Sequence, residues 1–262
     1  MNRQRLLKAR DLASKNESDR MTYLNPQEHE QVERFEVAYN AIDRHLRNIL
    51  HRDPQTSFAQ LIVDYFRKKK IGSTDYTDLR TFADLRNVLV HEKVKPKAYI
   101  AVPAPFVVEK IEEIRDRLIH PQRVLPKFQK SVESIKPDDS LAKVLALIND
   151  REYSQFPVYD ANQFKGLLTE NGITRWFAHH TSKVLSLIEV SDISVKQVLG
   201  EEERRSNYEF VPRSLTTIEL TTLFAEREML EAALITQSGN RKEKLMGIVT
   251  RWDVVQLRKE LP

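Results

Sequence analysis

A short pattern occurs twice in this sequence, as GLLTENG at residues 166–172 and as GIVTRWD at residues 247–253. Both copies begin with Gly, continue with two aliphatic residues and then have Thr. The two copies are too far apart to belong to one helix or one hairpin, but their separation fits two copies of a small domain. The sequence therefore predicts a duplicated fold in the C-terminal half of the chain.

The residues around each copy predict the same order of elements, namely strand, helix, strand, strand, helix. In the first copy the segments are SVESI (131–135), LAKVLALINDR with PDDS as its N-terminal cap, QFPVYD, FKGLLT and NGITRWFAHH. In the second copy they are YEFVP (208–212), SLTTIELTTLFAERE, EAALITQSG, KLMGIVT and RWDVVQLRKEL, with the polar turn GNRKEK between the last two strands. Aligned in this way, Ser140-Leu141 corresponds to Ser214-Leu215, and residues 166–169 correspond to 247–250.

The part of the chain before about residue 125 has a helical pattern. Apolar residues recur at the helical period in 28–51, and the segments 58–69 and 76–92 follow the same period. A fourth helix is predicted from Pro105, which suits a first helical turn, up to Pro121. The predicted fold class is α+β: an N-terminal four-helix bundle over residues 1–124, followed by two tandem β-α-β-β-α domains over 125–190 and 191–262.

Composition limits the class of protein. A chain of 262 residues, 40% of them hydrophobic, can bury more than one core, and its net charge of +4 permits a polyanionic partner without requiring one. The chain has no cysteine, and the adjacent His179 and His180 lack further ligands at suitable spacing, so we expect no metal. The opening lacks the apolar stretch of a secretory signal, and no run of about 18 apolar residues follows. We therefore expect a cytoplasmic protein without a membrane partner.

The repeated order, with Gly, two aliphatic residues and Thr at the end of its last strand, resembles a tandem pair of CBS domains over about residues 125–262. The resemblance implies a pseudo-twofold pair that commonly forms a homodimer, with clefts that bind AMP, ADP, ATP or S-adenosylmethionine. It also implies that Thr250 and Asp253, which match the T-x-x-D signature of the family, hold the ribose of such a ligand. The expected protein is a regulatory sensor of an adenine nucleotide or a related adenosyl compound.

The chemistry of these two residues agrees with that role. A carboxylate can accept hydrogen bonds from both hydroxyls of a ribose. The N-terminus of the following helix offers N–H groups to a phosphate, and Arg251 lies between Thr250 and Asp253 as a candidate phosphate contact. The alternative is that Asp253 only stabilises the first turn of its helix, where acidic residues are favoured.

The first copy departs from the signature. After Thr169, the position that matches Asp253 is occupied by Gly172, so we expect one competent site per chain. By resemblance, the residues expected to flank the adenine are Val198, Leu199, Val211 and Leu234. For each of these the alternative is ordinary packing in a core.

The helical half contains a second signal, RNVLVH at residues 86–91. It resembles the R-x(4–6)-H motif of HEPN domains, many of which are metal-independent ribonucleases that act as dimers, over about residues 28–120. The resemblance implies an active site of Arg86, Asn87 and His91, with RNA as the substrate. A histidine that titrates near about pH 6.5 can move the proton of the 2′-hydroxyl, and a guanidinium can stabilise the phosphorane charge.

The geometry of that motif leaves an alternative open. Helical positions five apart point about 140° away from each other, so Arg86 and His91 could meet only through the reach of Arg86 or at a helix end near His91. The alternative places Arg86 in a surface ion pair and His91 at the C-terminus of the helix, where a cation is favoured. Three functions therefore remain: nucleotide sensing by the CBS pair that modulates the helical domain, a ribonuclease regulated by the pair, and a dimerisation scaffold without a ligand.

Overall fold

The computed structural model describes residues 24–91, 99, 101–181, 189–202 and 207–260. The chain forms two compact units, Met1–Pro121 and Gln122–Pro262, so the division lies close to the domain boundary predicted after residue 124. Within the described residues, no helix combines the length and the apolar composition that a membrane span needs.

The described part of the N-terminal unit consists of helices α1 (Pro26–Leu50), α2 (Phe58–Arg67), α3 (Ser73–His91) and α4 (Pro105–Ile119). Helix α1 begins at a capping box, in which the Asn25 side chain accepts from the Glu28 N–H and the Glu28 carboxylate accepts from the Asn25 N–H. All four helices contribute to one core, whose fully buried residues include Phe35, Ile42, Leu46, Leu61, Leu79, Ile111 and Ile114. The predicted helical N-terminal bundle is confirmed.

The C-terminal unit is a mixture of helices and short strands. In chain order its described elements are α5 (Val124–Lys127), α6 (Leu141–Arg151), β1 (Gln155–Asp160), β2 (Gln163–Thr169), α7 (Glu170–Thr181), a 3₁₀ turn (Val190–Asp192), α8 (Val195–Glu202), β3 (Tyr208–Pro212), α9 (Thr217–Glu226), β4 (Ala232–Thr236), β5 (Gly247–Thr250) and α10 (Arg251–Glu260). Strands β1 and β2 form an antiparallel pair. In the second copy, β3 is parallel to β4, and β4 is antiparallel to β5.

The prediction of a strand at residues 131–135 is wrong. Within this segment only Ile135 pairs, in a single bridge to Val158, with its N–H donating to the Pro157 carbonyl at 3.1 Å. Ile135 is buried, whereas Ser131, Glu133 and Ser134 are exposed. The segment therefore lacks the alternating buried side chains that hold a strand against a core, and the first copy keeps two strands and one bridge.

The segment before each copy completes the core of the other copy. Val124 and Leu125 lie ahead of residue 131, where the β-α-β-β-α elements of the first copy were predicted to begin. Both are buried with the core residues of the second copy, including Val211, Leu220, Phe224 and Val249. The segment ahead of β3, where the elements of the second copy begin, is buried with the core residues of the first copy, including Leu141, Val144, Phe156 and Leu168. Its buried residues are Ile193, Val195, Val198 and Leu199. The predicted boundary between residues 190 and 191 therefore does not separate the two cores.

Backbone hydrogen bonds hold both exchanged segments at the start of a helix. The Leu141 N–H donates to the Ile193 carbonyl at 2.7 Å, and the Thr217 N–H donates to the Gln122 carbonyl at 2.8 Å. The two crossings are equivalent, so the residues that begin the helices, Leu141 and Thr217, correspond to each other. The exchange is thus a pseudo-symmetric feature of the whole unit.

This correspondence corrects the predicted alignment of Ser140 with Ser214. The N-cap residues are Ser140 for α6 and Thr216 for α9, two positions later than predicted. Thr216 is the N-cap because Glu219, three residues on, completes a capping box with it: the Thr216 N–H donates to Glu219 Oε2 at 2.9 Å, and the Glu219 N–H donates to Thr216 Oγ1 at 3.2 Å.

The glycine of the repeated pattern is subject to a steric requirement in the second copy. A Cβ atom on Gly247 would lie 2.3 Å from the carbonyl oxygen of Phe128, which belongs to the segment that follows α5. At the equivalent Gly166, a Cβ atom would instead meet the end of the flexible Leu199 side chain at 2.9 Å. A backbone carbonyl cannot move aside as a side chain can. Of these two glycines, Gly247 is therefore the one that cannot be replaced without displacing the backbone.

We expect Gly247→Ala to lower the free energy of unfolding by about 1–3 kcal/mol or more, the usual cost of an overpacked site, and Gly166→Ala to cost less. Urea unfolding of the two variants and the wild type measures the difference. Equal losses in the two variants would show that the Phe128 carbonyl does not restrict position 247.

Candidate functional site

A cleft of about 300 Å³ lies in the C-terminal unit, where the junction of β5 and α10 meets residues of the first copy. The first copy contributes residues 130–133 and 152–155, and the junction contributes Ile248, Thr250, Trp252 and Asp253. The volume is at the lower end of the range for small-molecule sites in proteins. The cleft therefore combines the repeated motif with residues that lie about a hundred positions earlier in the chain.

Thr250 and Asp253 are brought together at this junction. Asp253 Oδ2 accepts hydrogen bonds from the Thr250 N–H at 2.7 Å and from the Thr250 hydroxyl at 2.8 Å, and the Asp253 N–H donates to Thr250 Oγ1 at 3.3 Å. These are the reciprocal bonds of a helix cap, so the structural alternative for Asp253 is present. Oδ1 of the same carboxylate accepts no hydrogen bond from a residue that the structure describes. The cap therefore uses one carboxylate oxygen, and the other has no hydrogen-bond donor among the described residues.

Arg251 is not brought into the cleft with these two residues. One guanidinium nitrogen, Nη2, donates to the carbonyl oxygens of Arg227 at 3.2 Å, Glu228 at 2.7 Å and Leu230 at 2.8 Å. The guanidinium also lies 5.8 Å from the centre of the Phe224 ring. These contacts direct the side chain toward the turn between α9 and β4, where its charge neutralises carbonyl dipoles, because that turn follows the C-terminal end of a helix.

The four residues predicted to flank the adenine do not line this cleft. Val198 and Leu199 lie on α8 in the core of the first copy, Val211 lies on β3 in the core of the second, and Leu234 lies on β4 in a cluster shared by both copies. Each is less than 5% exposed. The structure therefore places these four residues in the packing role that was their alternative.

The sequence interpretation missed the apolar and aromatic residues that do line the cleft, Val132, Tyr153, Ile248 and Trp252. Trp252 is 68% exposed and Tyr153 is 41% exposed. The sequence shows that Trp252 stands inside the repeated motif, between Thr250 and Asp253, but only the structure shows that its ring is exposed. Nothing in the sequence alone indicated Tyr153.

The equivalent junction of the first copy has the cap without the carboxylate. Thr169 Oγ1 accepts a hydrogen bond from the Gly172 N–H at 3.0 Å, and Thr169 is 2% exposed. Thr169 thus caps α7 as Thr250 caps α10, but no acidic side chain is available at position 172 to receive a ribose hydroxyl. Thr169 does not line the cleft that contains Thr250.

In the N-terminal unit, Arg86 and Asn87 lie on α3. The Arg86 guanidinium is 5.7 Å from the centre of the Tyr39 ring on α1, and Asn87 is exposed. Burial raises the pKa of the Tyr39 hydroxyl, against a smaller opposing effect of the Arg86 charge. The side chain of His91 lies outside the described residues. The structure therefore places Arg86 near the Tyr39 ring, whose face attracts a cation. It does not test whether Arg86 pairs with His91.

Residues 128–179 match the family model of the CBS domain. The match runs from the segment after α5 to near the end of α7, so it covers the first copy and not the second. It supports a CBS module in the C-terminal unit. No curated protein matches the chain.

Solved structures of CBS-domain proteins resemble the chain at low sequence identity. The CBS domain of a CBS-domain-containing membrane protein from Sphaerobacter thermophilus is 19% identical, with 58% of this chain and 97% of that chain covered and a TM-score of 0.42. A CBS-domain-containing protein from Agrobacterium tumefaciens is 18% identical, covering 49% and 90%, with a TM-score of 0.37. The protein CBSX2, solved in complex with AMP, is 19% identical, covering 53% and 98%, with a TM-score of 0.39.

Proposed function

We propose that the C-terminal unit senses an adenosine-containing ligand, whose ribose is held by Thr250 and Asp253, and that the bound ligand regulates the N-terminal helical domain. The observation that carries this proposal is the placement of both residues, bonded to each other, on the wall of one cleft. The CBS family-model match supports it, because the resemblance to that family implies a ligand of this class.

The cleft offers a suitable contact for each part of a nucleoside. Asp253 Oδ1 can accept from a ribose hydroxyl, and such a bond to a charged acceptor is stronger than one between neutral groups. Val132 and Ile248 give apolar surface to a planar base, and the exposed ring of Tyr153 adds a face on which the base can stack. The ligand would touch both copies, since the two walls of the cleft come from different copies.

Regulation follows from this double contact. A ligand that binds one arrangement of the two copies more tightly than another shifts the population toward the first arrangement. The free energy by which the ligand shifts this equilibrium cannot exceed the difference between its binding free energies for the two arrangements. The coupling is reciprocal, so a change of arrangement alters the affinity for the ligand by the same factor. We propose that the helical domain responds to this shift, and that a homodimer formed through the CBS pair is the working assembly.

We expect an adenosine ligand at 100 times its Kd to add about 2.7 kcal/mol to the stability of the wild type, which raises Tm by several degrees. Asp253→Asn should abolish that rise, because the amide no longer offers a charged acceptor to the ribose. Differential scanning fluorimetry with adenosine, S-adenosylmethionine, AMP and ATP measures the shift.

The matched control is Glu219→Gln. Glu219 caps α9 at Thr216 as Asp253 caps α10 at Thr250, but it does not line the cleft. This variant should therefore lose stability without losing the ligand-induced shift. A shift of normal size in Asp253→Asn would refute the assignment of the ribose site, and no shift with any of the four ligands in the wild type would favour a scaffold without a ligand.

A metal-independent ribonuclease is the second candidate, with Arg86, Asn87 and His91 as its active site. The observation that favours it is that one helix, α3, carries all three residues, with Asn87 and His91 four positions apart on the same face. Arg86 and His91, five positions apart, point about 140° away from each other, so they would meet through the reach of the Arg86 side chain.

We expect the wild type to cleave single-stranded RNA in the presence of EDTA and His91→Ala to lose that activity, because no other group of the motif can carry the proton. The control is His29→Ala, which changes an exposed histidine of α1 in the same unit. Gel analysis of a labelled RNA follows the reaction. A wild type without activity, or a His91→Ala variant as active as His29→Ala, would rule out this candidate.

A further inference from the structure

The cleft around Thr250 and Asp253 has an acidic lining. Three of its side chains carry carboxylates, namely Glu133, Glu152 and Asp253. A fourth, Lys130, carries an ammonium. None of the three carboxylates forms an ion pair with a residue that the structure describes. Within the described part of the chain, their negative charge is therefore not neutralised by a salt bridge.

Several of the groups that could receive a phosphate are already engaged. Two N–H groups at the start of α10 have partners: the Arg251 N–H donates to the Glu231 carbonyl at 3.3 Å, and the Asp253 N–H donates to Thr250 Oγ1 at 3.3 Å. The Arg251 guanidinium is held by three carbonyl oxygens outside the cleft. A phosphate at this helix N-terminus would therefore lack the Arg251 guanidinium and two of the N–H groups on which an anion site of this kind depends.

Two aromatic rings stand beside these carboxylates. Trp252 and Tyr153 both line the cleft and are 68% and 41% exposed. The face of an indole or phenol ring attracts a cation, and the attraction extends to cationic ligands such as quaternary ammonium groups. Rings and carboxylates together form an environment that suits positive charge.

We propose, as a refinement that rests on the proposed function, that the cleft selects an adenosine whose 5′ substituent is cationic, as in the sulfonium compound S-adenosylmethionine, over adenosine phosphates. The ribose binds at Thr250 and Asp253 in either case. The 5′ substituent decides the affinity: a phosphate chain would bring negative charge toward Glu133 and Glu152, whereas a sulfonium is attracted by them and by Trp252.

The test compares ligands that differ in this charge. Isothermal titration of the full chain at low salt is carried out with S-adenosylmethionine, its neutral thioether S-adenosylhomocysteine, adenosine and ATP. We expect S-adenosylmethionine to bind several-fold more tightly than S-adenosylhomocysteine, and at least about tenfold more tightly than ATP, because the carboxylates act on both the sulfonium and the triphosphate.

A double variant, Glu133→Gln with Glu152→Gln, should lower the ratio of the affinities for S-adenosylmethionine and ATP by about two- to threefold for each carboxylate removed. Coulomb's law gives an effect of this size for charges several ångströms apart in water. The matched control is Glu228→Gln, which removes the charge of an exposed glutamate outside the cleft. It should leave the preference unchanged, and added salt should weaken the preference in the wild type.

The outcomes separate the two proposals. If adenosine binds, and binding is lost in Asp253→Asn, while ATP binds as tightly as S-adenosylmethionine, the ribose site stands and the charge selection is overturned. Equal affinity for S-adenosylmethionine and S-adenosylhomocysteine overturns it as well. If none of the four ligands binds, the proposed function fails and the selection fails with it.

Discussion

The C-terminal unit depends on the exchange of the segments that precede its two copies. Without Val124 and Leu125 the core of the second copy is open, and without Ile193 and Val195 the core of the first copy is open. A β-α-β-β-α copy of this length has little apolar surface to bury alone, and burial across the repeat is what makes a duplicated unit stable. The exchange also fixes how the copies face each other, so the cleft that they share inherits its shape from the packing of segments that do not line it.

The bond between Thr250 and Asp253 shows that a capping role and a binding role need not exclude each other. In the cap, Asp253 Oδ2 receives two hydrogen bonds from Thr250, which hold the carboxylate in one orientation. A group that is already fixed loses less conformational freedom when a ligand binds, and this lowers the cost of association. The first copy provides the contrast, because Thr169 caps its helix by accepting from the Gly172 N–H and has no carboxylate three residues on.

Most of the helices and strands could be predicted because their signals are local. Apolar periodicity, Pro105 at a helix start and Ser140 as an N-cap identify their elements from neighbouring residues alone. One error was local, since the predicted alignment at Ser214 overlooked the capping box of Thr216 and Glu219. The other errors occurred where the deciding partner is distant in sequence. The segment 131–135 has strand-like residues but only one pairing position, and the exchange across the two copies leaves no trace in periodicity.

The same distinction applies to the cleft. Thr250 and Asp253 were identifiable because they belong to a repeated motif, whereas the fate of Arg251 depends on three carbonyl groups that the fold brings to it. Tyr153 and Glu152 were not identifiable, since they reach the cleft only because the first copy folds against the second. The tertiary fold, and not the motif, assembled the rest of the wall.

This division has a consequence for specificity. In the proposed complex, the motif residues contact the ribose that all adenosine ligands share, so they would not distinguish one ligand from another. Discrimination needs groups that meet the variable 5′ substituent, and an affinity difference arises as much from what repels a competitor as from what attracts the ligand. In the proposed complex those groups are Glu133, Glu152 and Trp252, while the cap of α10 already engages the Asp253 N–H. Two chains with the same T-x-x-D signature can therefore select oppositely charged ligands when the facing copy differs.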